Sequence, residues 1–131
     1  MQEDSIFTKI VKGEIPANKI YEDAQTLAFL DIHPIQPGHT LVIPKKQVEF
    51  AWDLDDPTYQ AVMDTAKKVA TRIKEVLNPR YVGEQIIGVE VPHAHIHIVP
   101  FNTVAEFRNQ PDKTVEPDFA ALAEMAKKLA F

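Results

Sequence analysis

The sequence predicts an α+β fold: a five-stranded antiparallel sheet with a central amphipathic helix and short terminal helices. Two observations predict this class. Apolar residues recur at steps of three and four over residues 57–77, which is typical of a helix with one buried face. Strand-like segments follow one another along the chain with short turns between them, which favours antiparallel pairing. At 131 residues and 45% hydrophobic content, the chain is predicted to form one domain over residues 1–131.

The first half of the chain contains a short helix and three strands, predicted over residues 5–12, 19–22, 26–30 and 39–43. The helix has an apolar side and meets a stop signal at Gly13. A turn at residues 23–25 joins the first two strands, and two prolines and a glycine make residues 31–38 a loop. Pro44 is expected to stop the third strand.

The second half begins with the long helix over residues 57–77, which Asp55 or Asp56 caps and Asn78 and Pro79 end. Two further strands are predicted over residues 80–87 and 94–99. Pro117 opens a last helix, whose inward residues are predicted to be Phe119, Leu122, Met125 or Ala126, and Leu129.

Composition excludes several classes of protein. A net charge of -5 without a basic run argues against nucleic-acid binding, although a small anionic ligand needs only local donors. The absence of cysteine excludes disulfides and thiolate metal sites. No segment approaches the roughly 20 apolar residues that cross a membrane, and the acidic N-terminus has no apolar signal core. A cytoplasmic protein without membrane partners is predicted.

Three of the five histidines alternate along one predicted strand, at His93, His95 and His97. Because side chains alternate between the two faces of a strand, these imidazoles are expected to point one way, roughly 6 to 7 Å apart. Ala94, Ile96 and Ile98 are expected to face the core. Three imidazoles at this spacing predict a functional site, since burying them without partners is costly.

Two chemistries fit the alternating histidines. Neutral imidazoles are common ligands of zinc or copper, and His39 is a candidate for a further ligand. Alternatively, one imidazole attacks phosphorus while the others bind phosphate oxygens and assist the leaving group. A reference pKa near 6.5 leaves imidazole largely neutral, and hence nucleophilic, at pH 7.

The stretch from His93 to Val99 resembles the signature of the histidine triad family, in which three histidines alternate with apolar residues. The resemblance extends in order over residues 4–10, 14–17, 21–23, 28–32 and 37–46. The branch is similar to the nucleoside phosphoramidases and dinucleoside polyphosphate hydrolases. It implies the histidine triad fold and cleavage at the α-phosphorus of a purine nucleoside phosphoramidate, nucleotidyl adduct or dinucleoside polyphosphate.

The resemblance also implies a role for each histidine. His95 would be the nucleophile that forms a nucleotidyl-histidine intermediate. His97 would bind a non-bridging phosphate oxygen, His93 would lie near the bridging atom and help the leaving group, and His39 would support the others.

A nucleoside pocket is implied by the same resemblance. Asp31 would accept hydrogen bonds from the ribose hydroxyls, and the backbone N–H groups of Glu90 and Val91 would face phosphate. The base would lie between five apolar side chains: Ile6, Phe7, Phe29, Leu30 and Ile32.

The sequence also departs from the family pattern. Ser5 and Thr8 occupy the places of two cysteines that hold a structural zinc in many bacterial members, and Gln47 replaces a further histidine. Neither zinc nor another cofactor is therefore expected. Val89 stands where a glutamine commonly contacts phosphate, and residues 103–131 contain no family motif.

Two other classes of function remain open at this stage: a nucleotide-binding regulatory module with little turnover, and a metal-binding protein. A homodimer is implied by the resemblance. It is also favoured by the helix over residues 57–77 and the strand over residues 80–87, which offer more apolar positions than one small sheet needs.

Overall fold

The computed structural model describes residues 2–131; Met1, the first residue of the predicted domain, lies outside them. The described chain forms, in order, α1 (Ile6–Val11), β1 (Lys19–Glu22), β2 (Thr26–Leu30), β3 (Thr40–Pro44), α2 (Asp56–Leu77), β4 (Tyr81–Gln85), β5 (Ile96–Phe101), α3 (Val104–Phe107) and α4 (Phe119–Leu129). The five strands pair antiparallel in the order β1-β2-β3-β5-β4. This sheet confirms the predicted fold class.

The sheet separates two apolar layers. Helices α2 and α4 cover one face, where the buried side chains include Val69, Ile73, Ile96, Ile98 and Leu129. Helix α1 covers part of the other face, where Phe7 and Ile10 pack on strand residues Leu27, Phe29, Leu41 and Ile43. Each large apolar side chain removed from water in these layers stabilises the fold by about 1.5–3 kcal/mol. The layer under α1 lies beside the histidines.

The helix boundaries have local causes. Ser5 caps α1 by accepting a hydrogen bond from the backbone N–H of Thr8, and Gly13, at φ +80°, follows the end of the helix. Helix α2 has Asp55 at its N-cap, and Asn78 ends it in the left-handed conformation at φ 50°. The stop at Gly13 and both ends of α2 are the signals that the sequence predicts, and the Ser5 cap is added by the structure.

The last two strands differ from the prediction. β4 ends at Gln85, and β5 begins only at Ile96 and extends to Phe101. The intervening chain is a loop with Gly88 at φ +78°, and it is tied down where the N–H of Ala94 donates to Val48 O at 2.7 Å. His93 and His95 therefore precede the strand, and only His97 belongs to it.

The C-terminal region also differs from the prediction. Helix α4 begins at Phe119 with Asp118 as its cap, and Leu122 and Leu129 are buried as expected. Phe119 is wrong as a core residue, because it is 57% exposed and borders a cavity on the histidine side. None of the helices within residues 2–131 has the length and apolar character needed to span a membrane.

Candidate active site

His95 and His97 form the centre of the site. Their rings are 5.1 Å apart between centroids, and both border the same two adjoining cavities. Neighbouring Ala94, Ile96 and Ile98 are buried in the opposite layer, which holds the two imidazoles on the open side of the sheet. The edge of the Phe7 ring packs on His95 at 5.2 Å.

His93 lies elsewhere than expected. Its side chain is fully buried, borders neither cavity, and has both ring nitrogens in hydrogen bonds. Nε2 donates to Pro44 O at 2.7 Å, and Nδ1 accepts from the Ser5 hydroxyl at 2.8 Å. The structure therefore does not bring His93 to the cavities, because the chain has not yet entered strand geometry at His93 and the ring turns under α1.

Hydrogen bonding determines which nitrogen of His95 bears the proton. Nδ1 lies 2.8 Å from the backbone carbonyl of His93, which can only accept. Nδ1 of the neutral ring is therefore protonated, and the lone pair is on Nε2. No group within residues 2–131 is hydrogen-bonded to that Nε2, so the neutral form of His95 offers the cavities the lone pair of this nitrogen.

His39 and His97 form a hydrogen-bonded relay, in which the neutral His97 ring holds its proton on Nε2 and not, as in His95, on Nδ1. The N–H of Ile35 donates to His39 Nδ1 at 3.0 Å, which leaves the proton of a neutral ring on Nε2. His39 Nε2 then donates to His97 Nδ1 at 2.9 Å, so His97 is protonated on Nε2. His97 consequently presents an Nε2–H donor to the site, next to Nε2 of His95, which carries the lone pair of the neutral ring.

Burial keeps both rings of the relay neutral. It lowers the pKa of His39 to about 4, and burial together with the neighbouring His39 lowers the pKa of His97 to about 4. Burial also lowers the pKa of His93 and raises that of Asp31. The tautomers of His39 and His97 described above therefore hold at pH 7.

The first cavity, of about 580 Å³, receives every side chain of the predicted nucleoside pocket. Ile6 and Ile32, about half exposed, stand on its rim. Asp31 accepts the N–H of His33 with one carboxylate oxygen, and its other oxygen lies 3.7 Å from His39 Nε2. The remaining predicted members that line this cavity are Phe7, Phe29, Leu30, Glu90 and Val91.

The second cavity, of about 490 Å³, adjoins the first at His95 and His97. His39 lies in its wall, so the structure brings His39, His95 and His97 together and leaves His93 behind them. Sequence reasoning missed the contribution of the C-terminal region, which supplies Lys113 to both cavities and Phe119 to the first. No motif marks these residues: Lys113 lies in the long loop between α3 and α4, and Phe119 is the first residue of α4.

Ser5, Thr8, Gln47 and His93 meet in one buried cluster beneath α1. The Thr8 hydroxyl donates to Gln47 Oε1 at 2.5 Å, and the same oxygen accepts the Ser5 N–H at 2.7 Å. Zinc prefers thiolate and imidazole ligands, and His93 alone offers one here, with both of its nitrogens already engaged. These residues do not fit a structural zinc; hydrogen bonds take its place.

A second group with metal-ligand atoms is formed by Asp31, His39 and His97, whose ligand atoms lie within 4.8 Å of one another. A metal on His39 Nε2 would need the ring proton on Nδ1. The N–H of Ile35 points at that nitrogen, so the two hydrogens would collide. The hydrogen bonds of His39 and His97 therefore fit the neutral relay of the two rings better than they fit a bound cation.

Comparisons with known proteins place this chain in a family. The family model described as the HIT domain matches residues 12–104. An uncharacterized HIT-like protein of Borreliella burgdorferi is 41% identical over 104 residues, which cover 74% of this chain and 75% of the relative. An adenosine 5'-monophosphoramidase of Schizosaccharomyces pombe is 43% identical over 96 residues, or 72% of each chain.

Comparison with solved structures leads to the same family. The crystal structure of a Hit-like protein from Bartonella henselae, described as involved in cell-cycle regulation, aligns with a TM-score of 0.83 at 32% identity. The alignment covers 98% of this chain and 95% of that one. The chain belongs to the histidine triad, or HIT, family.

Proposed function

We propose that this protein is a nucleotide hydrolase or transferase that cleaves at the α-phosphorus of a purine nucleoside phosphoramidate, nucleotidyl adduct or dinucleoside polyphosphate. One observation supports this most directly: His95, whose neutral ring carries its lone pair on Nε2, and His97, which carries a proton on Nε2, border the same cavities. A nucleophile beside a hydrogen-bond donor is what attack on an anionic phosphorus needs.

Substrate binding uses the first cavity. The base lies between the apolar side chains that line this cavity. Asp31 accepts hydrogen bonds from the ribose hydroxyls with the carboxylate oxygen that is not bonded to the N–H of His33. The backbone N–H groups of Glu90 and Val91 donate to no other group within residues 2–131 and are available to phosphate oxygens. The α-phosphorus then lies against His95.

The reaction has two steps. His95 Nε2 attacks the α-phosphorus, the P–N or P–O bond to the leaving group breaks, and the leaving group takes a proton from solvent in the second cavity. His97 Nε2–H binds a non-bridging oxygen throughout, and His39 holds the tautomer of His97. Water then attacks the phosphorus of nucleotidyl-His95 and the P–N bond to Nε2 breaks, which releases the nucleoside monophosphate, a proton and the free imidazole.

We test this by mixing the protein with adenosine 5'-phosphoramidate, quenching early, and mapping the adduct by mass spectrometry, with and without EDTA. A nucleotidyl group on His95 is expected in both samples, because no step uses a metal. His95→Ala should abolish adduct and turnover while AMP affinity stays within about tenfold, roughly 1.4 kcal/mol, since the pocket contacts remain.

Other outcomes identify the alternatives. Activity lost with EDTA and restored by zinc would favour the metal-binding protein. Tight nucleotide binding without adduct or turnover would favour the regulatory module. An adduct on His93 or His97 would overturn the assignment of the nucleophile.

A further inference from the structure

The C-terminal chain between α3 and α4 is fastened across the mouth of the site. The side-chain amide of Asn109 donates to Ile35 O at 3.0 Å, and His33 Nε2 lies 3.0 Å from Val115 O, where it donates. Both anchors are on the loop that follows Asp31. The segment between them, residues 109–115, is thus held against the histidines with Lys113 in its middle.

Lys113 has a distinctive place in the charge distribution of the site. It is the one lysine or arginine that lines the first cavity within residues 2–131, and it also lines the second. The carboxylates of Asp31 and Glu90 border both cavities, in a chain of net charge -5. A substrate with several phosphates would meet acidic walls there unless a cation faced it.

The two cavities differ in chemistry. The first is walled mainly by aliphatic and aromatic side chains, which suits a base. Beside the shared residues, the second contains Arg108 and three amide side chains, those of Gln85, Asn109 and Gln110. A cation and amide donors beyond the scissile bond suit phosphate oxygens in a leaving group.

Lys113 forms an ion pair with Glu90 that can easily open. Its ammonium contacts the Glu90 carboxylate, and the two side chains are 54% and 66% exposed. Exposed ion pairs of this kind contribute little to stability, so an incoming phosphate can replace the carboxylate. The field of Lys113 also reaches the relay, where it lowers the pKa of His39 further.

We propose that the second cavity is the leaving-group subsite, and that Lys113, assisted by Arg108, selects leaving groups that contain phosphate, such as a nucleoside polyphosphate, over uncharged amines. This inference rests on the proposed function and names its preferred substrate class. The base and α-phosphate keep the contacts described above, and Lys113 leaves Glu90 to bind the phosphate next to the scissile bond.

The test compares kcat/KM for diadenosine tetraphosphate and for an adenosine 5'-phosphoramidate with an uncharged alkylamine. Lys113→Met should lower the first value about 10- to 100-fold, the range for one charged hydrogen bond, and leave the second within about threefold. Lys113→Arg should retain most of the preference. Lys127→Met is the matched control, because Lys127 is also an exposed lysine paired with a glutamate, Glu124, but on α4.

A second measurement is independent of turnover. Binding of inorganic tripolyphosphate, followed by calorimetry, should weaken at least tenfold in Lys113→Met and remain unchanged in Lys127→Met. Equal losses on both substrates, or no loss on either, would overturn the leaving-group assignment. A wild type that forms no His95 adduct would refute the proposed function instead, and the tripolyphosphate titration would still decide whether Lys113 forms a polyphosphate site.

Discussion

At the scale of single residues, three histidines of the same signature have three different environments. The carbonyl of His93 accepts a hydrogen bond from Nδ1 of His95, whereas Nδ1 of His97 accepts one from His39, so the neutral rings hold their protons on Nδ1 of His95 and on Nε2 of His97. His93 itself donates to Pro44 and accepts from Ser5, so both of its nitrogens are used within the protein. We therefore propose that His93 is a positioning residue, which holds the backbone carbonyl that orients His95, the proposed nucleophile.

Replacing His93 by Gln should lower kcat for all substrates by a similar factor, of the order of tenfold, because His95 becomes less well oriented. We expect the dependence of rate on the pKa of the leaving group to keep its slope across a series of aryl phosphoramidates. A steeper slope than in the wild type would mean that His93 helps the leaving group after all. Thermal unfolding of the variant controls for loss of the fold.

At the scale of elements, the edge of the sheet at β4 is open. A shallow groove runs between β4 and α2, lined by Met63, Ala70 and Val82, all half-buried. Unpaired strand edges with adjoining apolar side chains invite pairing with a second copy. We propose the homodimer on this edge.

Ala70→Arg on α2 should shift the protein from dimer to monomer at micromolar concentration, because a charged side chain then fills the groove. Analytical ultracentrifugation measures the change. Ala123→Arg on the exposed side of α4 is the matched control and should leave the association unchanged. A wild type that sediments as a clean monomer would refute the homodimer itself.

At the scale of the whole molecule, burial of neutral histidines makes stability depend on pH. The pKa values of His39 and His97 are about 4 in the folded protein and about 6.5 in an unfolded chain. Between these values the unfolded state binds more protons, so the free energy of unfolding rises with pH through this window. The raised pKa of Asp31 opposes this trend only in part, since it concerns one carboxyl.

Urea unfolding of the wild type should therefore show stability falling as pH decreases from 6.5 towards 4, with little change between pH 7 and 8. His39→Gln should show a shallower fall, because one buried titrating ring is gone. If the free energy of unfolding of the wild type stayed constant from pH 7 to 5, the inference that His39 and His97 are neutral in the folded protein would be wrong.

Much of this molecule is determined by local sequence. The strands Lys19–Glu22 and Thr26–Leu30, the Ser5 cap and the end of α2 at Asn78 follow from short-range signals, which act within a few residues. The predicted nucleoside side chains reach one cavity for a similar reason: they lie on α1, on β2 and in the loops beside them, all of which border the face of the sheet that α1 covers.

Tertiary structure alone decided the orientation of His93 and the contribution of the tail. Alternation along a strand predicts one direction for His93, His95 and His97, but the loop tied to Val48 delays the strand until Ile96. Lys113 reaches the histidines through hydrogen bonds to a loop about 80 residues earlier in the chain. Such long-range contacts leave no periodic pattern in the sequence, because their geometry exists only once the sheet and its loops have assembled.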